Sequence, residues 1–154
     1  NKICVIGASF GGYATMMSLI REPELYRCGV PMMGVYDLSI MFTRDRADAS
    51  RGKARYLEDY RKDVIGHGDE EHMLIHSPLN NVIKLEDPVL FIHGAEDKRV
   101  PIIHMERMQA AMDKLDKPYE TLVFEDEGHG WRQEENKLEF YQRLRDFLGK
   151  HLDS

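Results

Sequence analysis

Four short apolar runs are spaced along the chain, and each of them predicts a buried β-strand. Each run is too short for a helix and is rich in residues that favour strands, mostly β-branched or aromatic ones. The four runs are Lys2–Ile6, Cys28–Met33, Pro88–His93 and Tyr119–Glu125.

Helical spacing of apolar residues between and after these runs predicts three main helices, at Phe10–Ile20, Pro101–Leu115 and Glu134–Leu152. A short helix is also expected at Arg55–Lys62, whereas the composition of Ser77–Asn81 predicts a loop. The last helix carries an apolar stripe at spacings of three and four residues: Leu138, Tyr141, Leu144, Phe147 and Leu148. Strands that alternate with helices predict an α/β fold with a parallel sheet of about four strands and crossover helices.

Length and composition indicate one domain, residues 1–154, because a chain of 154 residues with 42% apolar residues can bury a core of its own. The formal net charge is −6 without a basic cluster, so we expect no nucleic-acid partner. No apolar run approaches the roughly 20 residues that a membrane span needs. The chain begins with Asn1 and enters a strand at once, so we expect it to be part of a longer protein. Its compartment, cytoplasmic or periplasmic/secreted, stays unassigned.

The two cysteines, Cys4 and Cys28, both lie in apolar runs that predict strands. A free cysteine behaves as a small buried hydrophobe, so we expect two buried thiols. A disulfide between neighbouring strands is the alternative.

The segment GASFG at residues 7–11 contains the pattern G-x-S-x-G between a predicted strand and a predicted helix. Small residues at Gly7 and Gly11 would let a sharp turn close, so that Ser9 has a strained backbone and an exposed hydroxyl. The backbone N–H of Phe10 could then donate to an oxyanion at the start of the helix. A glycine-rich turn without function is the alternative interpretation.

Two further candidates follow the third and fourth predicted strands. The segment HGAED at residues 93–97 offers Asp97, with Glu96 as a competitor for the same role. The segment GHGW at residues 128–131 offers His129 between two glycines. Taken singly, each is better explained as part of a solvated loop.

Together the three candidates follow the order serine, acid, histidine, which is the chain order of α/β-hydrolases. Each of them follows a different strand, and the loops at the carboxyl ends of parallel strands lie at one edge of the sheet. We therefore expect Ser9 to attack a carbonyl, His129 to transfer its proton, and Asp97 to orient His129.

These segments give the chain a specific resemblance, which covers nearly its whole length. It resembles the C-terminal portion of the prolyl oligopeptidase family of serine peptidases, which includes dipeptidyl-peptidases and acylaminoacyl-peptidases. The matching stretches are GASFGGYAT (Gly7–Thr15), GVYDL (Gly34–Leu38), SPLNNV (Ser77–Val82), PVLFIHGAEDKRVP (Pro88–Pro101) and EDEGHGW (Glu125–Trp131).

The resemblance implies a partial α/β-hydrolase fold and several site residues. It favours Asp97 over Glu96, because the acid of the family ends an H-G-x-x-D pattern. It implies a substrate pocket lined by Phe10 and Val100, with Arg99 on a substrate carbonyl and Tyr36 as a weaker candidate. Ordinary packing is the alternative for the pocket residues.

The spacing of His72 and His76 could place two metal ligands on one helix face, but the pattern H-E-x-x-H is absent and two exposed histidines explain the segment better. We therefore expect neither a metal nor another cofactor.

The function expected from the sequence is hydrolysis of short peptides by a serine peptidase through an acyl-enzyme. The alternatives are a carboxylic-ester hydrolase and a non-catalytic interaction fragment. The resemblance implies that earlier strands, a second oxyanion donor and an upstream β-propeller are absent, so we expect this chain alone to be weak or inactive. Because the strand at Lys2–Ile6 would then be a bare apolar edge, we also expect a homodimer or association with the missing segment.

Overall fold

The computed structural model describes residues 2–41, 62–63, 66 and 68–153. The strands are β1 (Cys4–Ala8), β2 (Cys28–Met32), β3 (Val89–Gly94) and β4 (Tyr119–Phe124). The α-helices are α1 (Phe10–Arg21), α2 (Glu70–His76), α3 (Ile103–Asp113) and α4 (Glu134–Leu152). Two 3₁₀ helices span Leu38–Ile40 and Pro78–Lys84.

All strand pairs are parallel, and the strands lie in the order β1-β2-β3-β4. This confirms the predicted parallel sheet of four strands with crossover helices. The register pairs Ala8 with Met32 and Gly94 with Phe124, so the carboxyl ends of the strands lie at one edge. The loops that carry Ser9, Asp97 and His129 all leave the sheet from this edge.

The core has one layer on each face of the sheet. Val89 and Phe91 of β3 belong to the layer beneath α1 and α3, which contribute methionines such as Met16 and Met108. Residues of β3 that alternate with these belong to the layer beneath α4: Leu90 and Ile92. Every residue of β3 is buried, as expected for an inner parallel strand that is covered on both faces.

The helix at Glu134–Leu152 has the predicted bounds, but the predicted apolar face was partly wrong. Phe140 and Phe147 are the buried residues of α4, whereas Leu138 and Tyr141 are 60% and 65% exposed. Phe140 and Phe147 pack against the sheet, with Leu144 and Leu148 beside them. The buried face of α4 therefore includes Phe140, which the prediction left out, and excludes Leu138 and Tyr141.

Two further predictions concern the middle of the chain. The segment that was expected to be a loop at Ser77–Asn81 continues into the 3₁₀ helix, with Pro78 at its first position. The short helix that was expected at Arg55–Lys62 lies almost entirely outside the described residues.

The expectation of two free thiols was wrong, because Cys4 and Cys28 form a disulfide. The two residues are direct partners in the register of β1 and β2, and their Cα atoms are 4.7 Å apart. That separation lies within the range that a disulfide can bridge. The alternative interpretation, a bond between neighbouring strands, is therefore the correct one.

At one end of the sheet, β1 pairs with β2 and with no other strand of the described part of the chain. Apolar side chains are accessible here, since Ile3 is 46% and Ile6 is 42% exposed. None of the helices in residues 2–41 and 68–153 is long and apolar enough to span a membrane.

Candidate active site

Ser9 lies on the sharp turn between β1 and α1 with a backbone φ of 58° and ψ of −119°. A positive φ is rare for a residue with a side chain and costs about 1–3 kcal/mol. The Ser9 N–H donates to the carbonyl of Met32 at 2.9 Å, and the Ser9 carbonyl accepts from Gly12 N–H at 2.9 Å. These bonds hold the turn, and the strain predicted at Ser9 is confirmed.

The two glycines of G-x-S-x-G differ in what they do. A Cβ atom at Gly7 would lie 2.3 Å from the carbonyl oxygen of Gly11, so only glycine fits there. A Cβ atom at Gly11 would meet nothing within 4 Å. Crowding therefore explains Gly7, and the prediction that Gly11 is needed for the same reason was wrong.

Asp97 is buried at the end of the loop that follows β3, whereas its neighbour Glu96 is exposed. Its Oδ1 accepts the backbone N–H groups of Arg99 at 2.8 Å and of Val100 at 2.9 Å. Both bonds fix the orientation of the carboxylate. Of the two acids that competed in the sequence, Asp97 is the one that faces His129.

The imidazole of His129 lies against the second oxygen of this carboxylate, with Nδ1 2.7 Å from Asp97 Oδ2. A carboxylate oxygen accepts, so Nδ1 is the ring nitrogen that carries the proton, and Nε2 is left as the basic one. The His129 side chain is 15% exposed and the Asp97 side chain is fully buried. Solvent therefore reaches the histidine but not the acid.

The third candidate, Ser9, starts from the same sheet edge but is not joined to this pair. Within residues 2–41 and 68–153, its hydroxyl makes no hydrogen bond to His129 or to another side chain. Catalytic hydrogen bonds are often long or open before substrate binds. The structure thus joins two of the three predicted residues directly. The third follows β1, at the same edge of the sheet but with β2 between it and β3.

The loops that carry the acid and the histidine are tied together by their backbones. Ala95 N–H donates to Phe124 O at 2.9 Å, and Glu96 N–H donates to Glu127 O at 3.0 Å. A Cβ atom at Gly94 would lie 2.4 Å from the carbonyl oxygen of Glu127, so this approach requires glycine. The separation between Asp97 and His129 is therefore set by backbone contacts.

Behind the acid lies His93, the first residue of the H-G-x-x-D pattern, for which the sequence predicted no role of its own. Its Nε2 donates to Val100 O at 2.9 Å and lies 3.8 Å from Asp97 Oδ2. Burial lowers the pKa of His93, so the ring is neutral at neutral pH. It packs beneath the acid loop, and its place in H-G-x-x-D was the signal for it. Glu127, which precedes the G-H-G segment, is the second residue that was missed.

The predicted pocket residues have different surroundings in the described part of the chain. The Phe10 side chain is 74% exposed and contacts the ring of Tyr13. Val100 is 5% exposed and packs in a core cluster with Val35 and Leu38. Arg99 is exposed.

The structure places Tyr36, the weaker pocket candidate, in the core. Tyr36 is fully buried and packs edge-on against the ring of Phe91, with centroids 5.5 Å apart. Burial raises the pKa of its hydroxyl far above the ordinary value. No part of this side chain is accessible to a substrate.

A cavity of about 410 Å³ opens beside the acid loop. Its wall combines basic side chains with apolar ones, among them Arg99, Arg107, Ile40 and Ile102. One of these cations is already paired, because Arg107 donates to Asp37 Oδ2 at 2.7 Å. Arg99 and Asp97 both line this cavity.

His72 and His76, which were weighed as metal ligands, lie one turn apart on α2 with ring centroids 4.3 Å apart. No group of three or more histidine, cysteine, aspartate or glutamate residues in the described ranges is arranged to hold a metal ion.

A model of the prolyl oligopeptidase family, Peptidase_S9, matches residues 1–154. The chain belongs to the prolyl oligopeptidase family. It is 30% identical over 156 residues to dipeptidyl peptidase family member 6 of Caenorhabditis elegans, covering 96% of this chain and 20% of the relative. It is 28% identical over 155 residues to dipeptidyl aminopeptidase BIII of Pseudoxanthomonas mexicana, covering 99% of this chain and 22% of the relative. The chain thus spans about a fifth of the length of these relatives.

The fold is shared with solved structures of peptidases. The Pyrococcus horikoshii acylaminoacyl peptidase superimposes with a TM-score of 0.82 at 23% identity, over 98% of this chain and 24% of that one. This likeness establishes the α/β-hydrolase fold that the sequence predicted, in its partial form. The resemblance to the prolyl oligopeptidase family is likewise confirmed.

Membership of the prolyl oligopeptidase family does not by itself decide activity. The inactive dipeptidyl peptidase 10 of Rattus norvegicus is 26% identical to this chain over 149 residues, covering 96% of it and 17% of the relative. Evidence for catalysis has to come from the geometry of the candidate residues.

Proposed function

We propose that this chain carries the catalytic triad of a serine peptidase, with Ser9 as nucleophile, His129 as general base and acid, and Asp97 as the residue that orients His129. The observation that carries the proposal is the 2.7 Å bond between His129 Nδ1 and Asp97 Oδ2 at the sheet edge from which the strained Ser9 also emerges. Family membership supports a peptide as the substrate.

In the first half of the proposed reaction, Ser9 Oγ attacks the carbonyl carbon of the scissile peptide bond while its proton passes to His129 Nε2. The oxyanion that forms accepts from Phe10 N–H, one of the first-turn amides of α1 that lack an intrahelical partner. The C–N bond then breaks as the imidazolium returns the proton to the leaving amine. Asp97 stabilises the imidazolium throughout.

In the second half, water attacks the acyl-enzyme carbonyl and gives a proton to His129 Nε2. The C–O bond to Ser9 breaks, the serine recovers this proton, and the acid product leaves. Every proton transfer uses the same nitrogen. The two backbone N–H bonds to Asp97 Oδ1 keep that nitrogen aimed outward through the cycle.

The direct test is covalent labelling of Ser9 by a fluorophosphonate, with Ser9→Ala as the unreactive variant. We expect one adduct, on Ser9, in the wild-type chain and none in the variant. Mass spectrometry of tryptic peptides identifies the labelled residue. Absence of labelling in both this chain and a longer parent protein would support the non-catalytic alternative instead.

An ester hydrolase is the second enzymatic candidate, because a serine triad cleaves both amides and esters. Turnover of short aminoacyl anilides is compared with turnover of simple esters of matched acyl groups. The peptidase proposal requires measurable anilide cleavage. Cleavage of esters alone would replace it.

We further propose that the chain by itself is a weak catalyst compared with a longer parent. Phe10 N–H is the one oxyanion donor that our proposal identifies, and loss of one donor typically costs about 10²–10³ in turnover. Rates of this chain and of the parent are compared on the same short peptides. Equal rates would contradict this part of the proposal.

In the described sheet, β1 has a partner strand on one side only, and this supports the proposal of a homodimer through the Lys2–Ile6 edge or of pairing with a segment of the parent. An exposed apolar edge strand favours addition of another strand. We expect sedimentation to show a dimer that Ile6→Lys weakens. Ile103→Lys, at an equally exposed isoleucine on α3, is the matched control. A monomer at all concentrations would rule the homodimer out.

A further inference from the structure

Glu127 is an acidic residue that is almost fully buried, at 2% exposure, two residues before His129. It follows β4 and precedes the first residue of α4 by seven positions. Burial of a carboxylate is costly unless hydrogen bonds satisfy it. The contacts of Glu127 therefore indicate what it is for.

The side chain of Glu127 binds the start of α4. Its Oε1 accepts from the backbone N–H groups of Arg132 and Gln133, each at 2.8 Å, and from Asn136 Nδ2 at 3.1 Å. Gln133, the N-cap residue of α4, makes no capping bond with its own side chain. The carboxylate thus caps the helix from outside and lies at its positive end.

Charge on Glu127 is maintained by the same contacts. The hydrogen bond from Gln133 N–H, followed by that from Asn136, lowers the pKa of the Glu127 carboxyl. The group therefore accepts from the helix as a carboxylate throughout the neutral range.

The backbone of Glu127 holds the two loops of the site. Its carbonyl accepts Glu96 N–H at 3.0 Å, one residue before the proposed orienting acid. Its own N–H donates to Phe124 O at 3.4 Å at the end of β4. One residue therefore connects the acid loop, the last strand and the start of α4.

Immediately around His129, an isolated β-bridge joins the two flanking residues. Gly128 and Gly130 flank His129, and Gly130 has a φ of 143°, so the segment has wide backbone freedom. A fixed imidazole on such a segment needs an anchor nearby. Glu127 is the anchored residue closest to it on the N-terminal side.

We propose that Glu127 is a positioning residue, which holds the His129 imidazole on Asp97 by fixing the histidine loop to the start of α4. The inference rests on the proposed triad for its catalytic meaning, but the geometry that it claims is measurable without catalysis. A misplacement of about 1 Å of a catalytic group can cost about 10²-fold in rate.

The test compares Glu127→Ala, Glu127→Gln and the wild-type chain by proton NMR of the His129 Nδ1–H. In the wild type we expect a downfield resonance that is protected from solvent by its bond to Asp97. In Glu127→Ala we expect that proton to exchange at least about ten times faster, because a loosened loop opens the bond more often. Glu127→Gln keeps an acceptor oxygen without charge and should lie between the two.

Asp126→Asn is the matched control. Asp126 is exposed, and its carboxylate also binds the start of α4, through Gln133 Nε2 and through Asn136 Nδ2 at 3.1 Å. The change removes a charge near the same helix end. It leaves the bonds from the Arg132 and Gln133 N–H groups to Glu127 in place, and the two acids share Asn136 Nδ2. We expect it to leave the His129 resonance unchanged.

A second readout is the rate of Ser9 labelling by a fluorophosphonate, which should fall about 10- to 100-fold in Glu127→Ala. If Glu127 only stabilised the fold, the folded alanine and glutamine variants would keep wild-type exchange of the His129 Nδ1–H, and the inference would be overturned. If the alanine variant does not fold, the glutamine variant decides on the same criterion. Failure of both the wild-type chain and the longer parent to label would refute the triad but not the positioning role, because the NMR comparison does not depend on labelling.

Discussion

The two halves of the candidate site differ in how completely this chain builds them. The acid–histidine half lies on β3 and β4, and its acid is buried and held by three hydrogen bonds, to Arg99, Val100 and His129. The nucleophile half lies on β1, which has a strand on one side only in the described sheet, and Phe10 beside Ser9 is 74% exposed. The first half is organised by its own contacts, whereas the second depends on a strained turn.

The three candidate residues are therefore held in place by different kinds of contact. Between Asp97 and His129 the constraint is a network of backbone bonds that joins neighbouring loops. For Ser9 the constraint is local, because the positive φ and the close approach of Gly7 to Gly11 both arise within one turn. Perturbations of the two halves should therefore differ in kind.

Removal of the charge on Asp97 should have the largest effect on reactivity. In Asp97→Asn, the amide oxygen can still accept the N–H groups of Arg99 and Val100. The amide NH₂ then faces His129 Nδ1 and favours the tautomer in which Nδ1 carries no proton. We expect the rate of fluorophosphonate labelling of Ser9 to fall about 10⁴-fold. Glu96→Gln, at the exposed neighbouring acid, is the control and should label normally. If Glu96→Gln lowered the labelling rate as much as Asp97→Asn does, Asp97 would not be the acid that specifically orients His129.

Removal of the disulfide should have the largest effect on stability, and it acts through the nucleophile half. The bond joins residues 24 apart in sequence, and closing a loop of that size stabilises a fold by about 3–4 kcal/mol. We expect the double variant Cys4→Ala/Cys28→Ala to lose that much free energy of unfolding in urea.

Reducing agent provides the control for this prediction. It should lower the stability of the wild type towards that of the alanine variant and leave the variant unchanged. A wild type that is insensitive to reduction would argue that the two sulfurs are not bonded in solution.

The fold was predictable from sequence because the spacing of apolar residues and the length of each apolar run distinguish these strands from these helices. The sequence located every strand to within two residues, for example β3 at Pro88–His93 against the observed Val89–Gly94. It also located the turn at Ser9, because a strand, small residues and a helix in that order leave few alternatives.

Other features depend on contacts that sequence period does not encode. The apolar face of α4 was displaced because Phe140 and Leu138 are both apolar, and only packing decides which of them is buried. Tyr36 looked accessible because it lies in a predicted loop, yet the core covers it. Cys4 and Cys28 pair because the register of β1 and β2 places them opposite each other, and that register is a tertiary property.

Substitution of Gly7 and Gly11 tests which of the two glycines the turn at Ser9 requires. Gly7→Ala forces a Cβ atom to within 2.3 Å of the Gly11 carbonyl, so we expect a loss of about 1–3 kcal/mol of stability. Gly11→Ala meets nothing and replaces glycine in a helix, so it should be neutral or stabilise by up to about 1 kcal/mol. Urea unfolding of both variants measures the difference, and equal losses would show that the open space at Gly11 is not real.

The smallest effect concerns pH and belongs to the acid–histidine side of the molecule. Burial lowers the pKa of His104 on α3 from 6.5 to about 4, and its Nδ1 accepts Asp37 N–H at 3.4 Å. A histidine with a depressed pKa in the folded state binds its proton more readily when unfolded. Stability from this residue is therefore present above pH 6.5 and is lost as the pH falls from 6.5 towards 4.

Between pH 7 and pH 5 we expect His104 to account for a loss of about 1–2 kcal/mol in the free energy of unfolding. His104→Gln, which keeps an acceptor but does not titrate, should remove that part of the pH dependence. His93 on β3 has a lowered pKa for the same reason and remains in both proteins, so the difference between their pH profiles reports on His104. Identical profiles would mean that His104 is protonated without cost, and that the space between α3 and the acid loop is wetter than its burial implies.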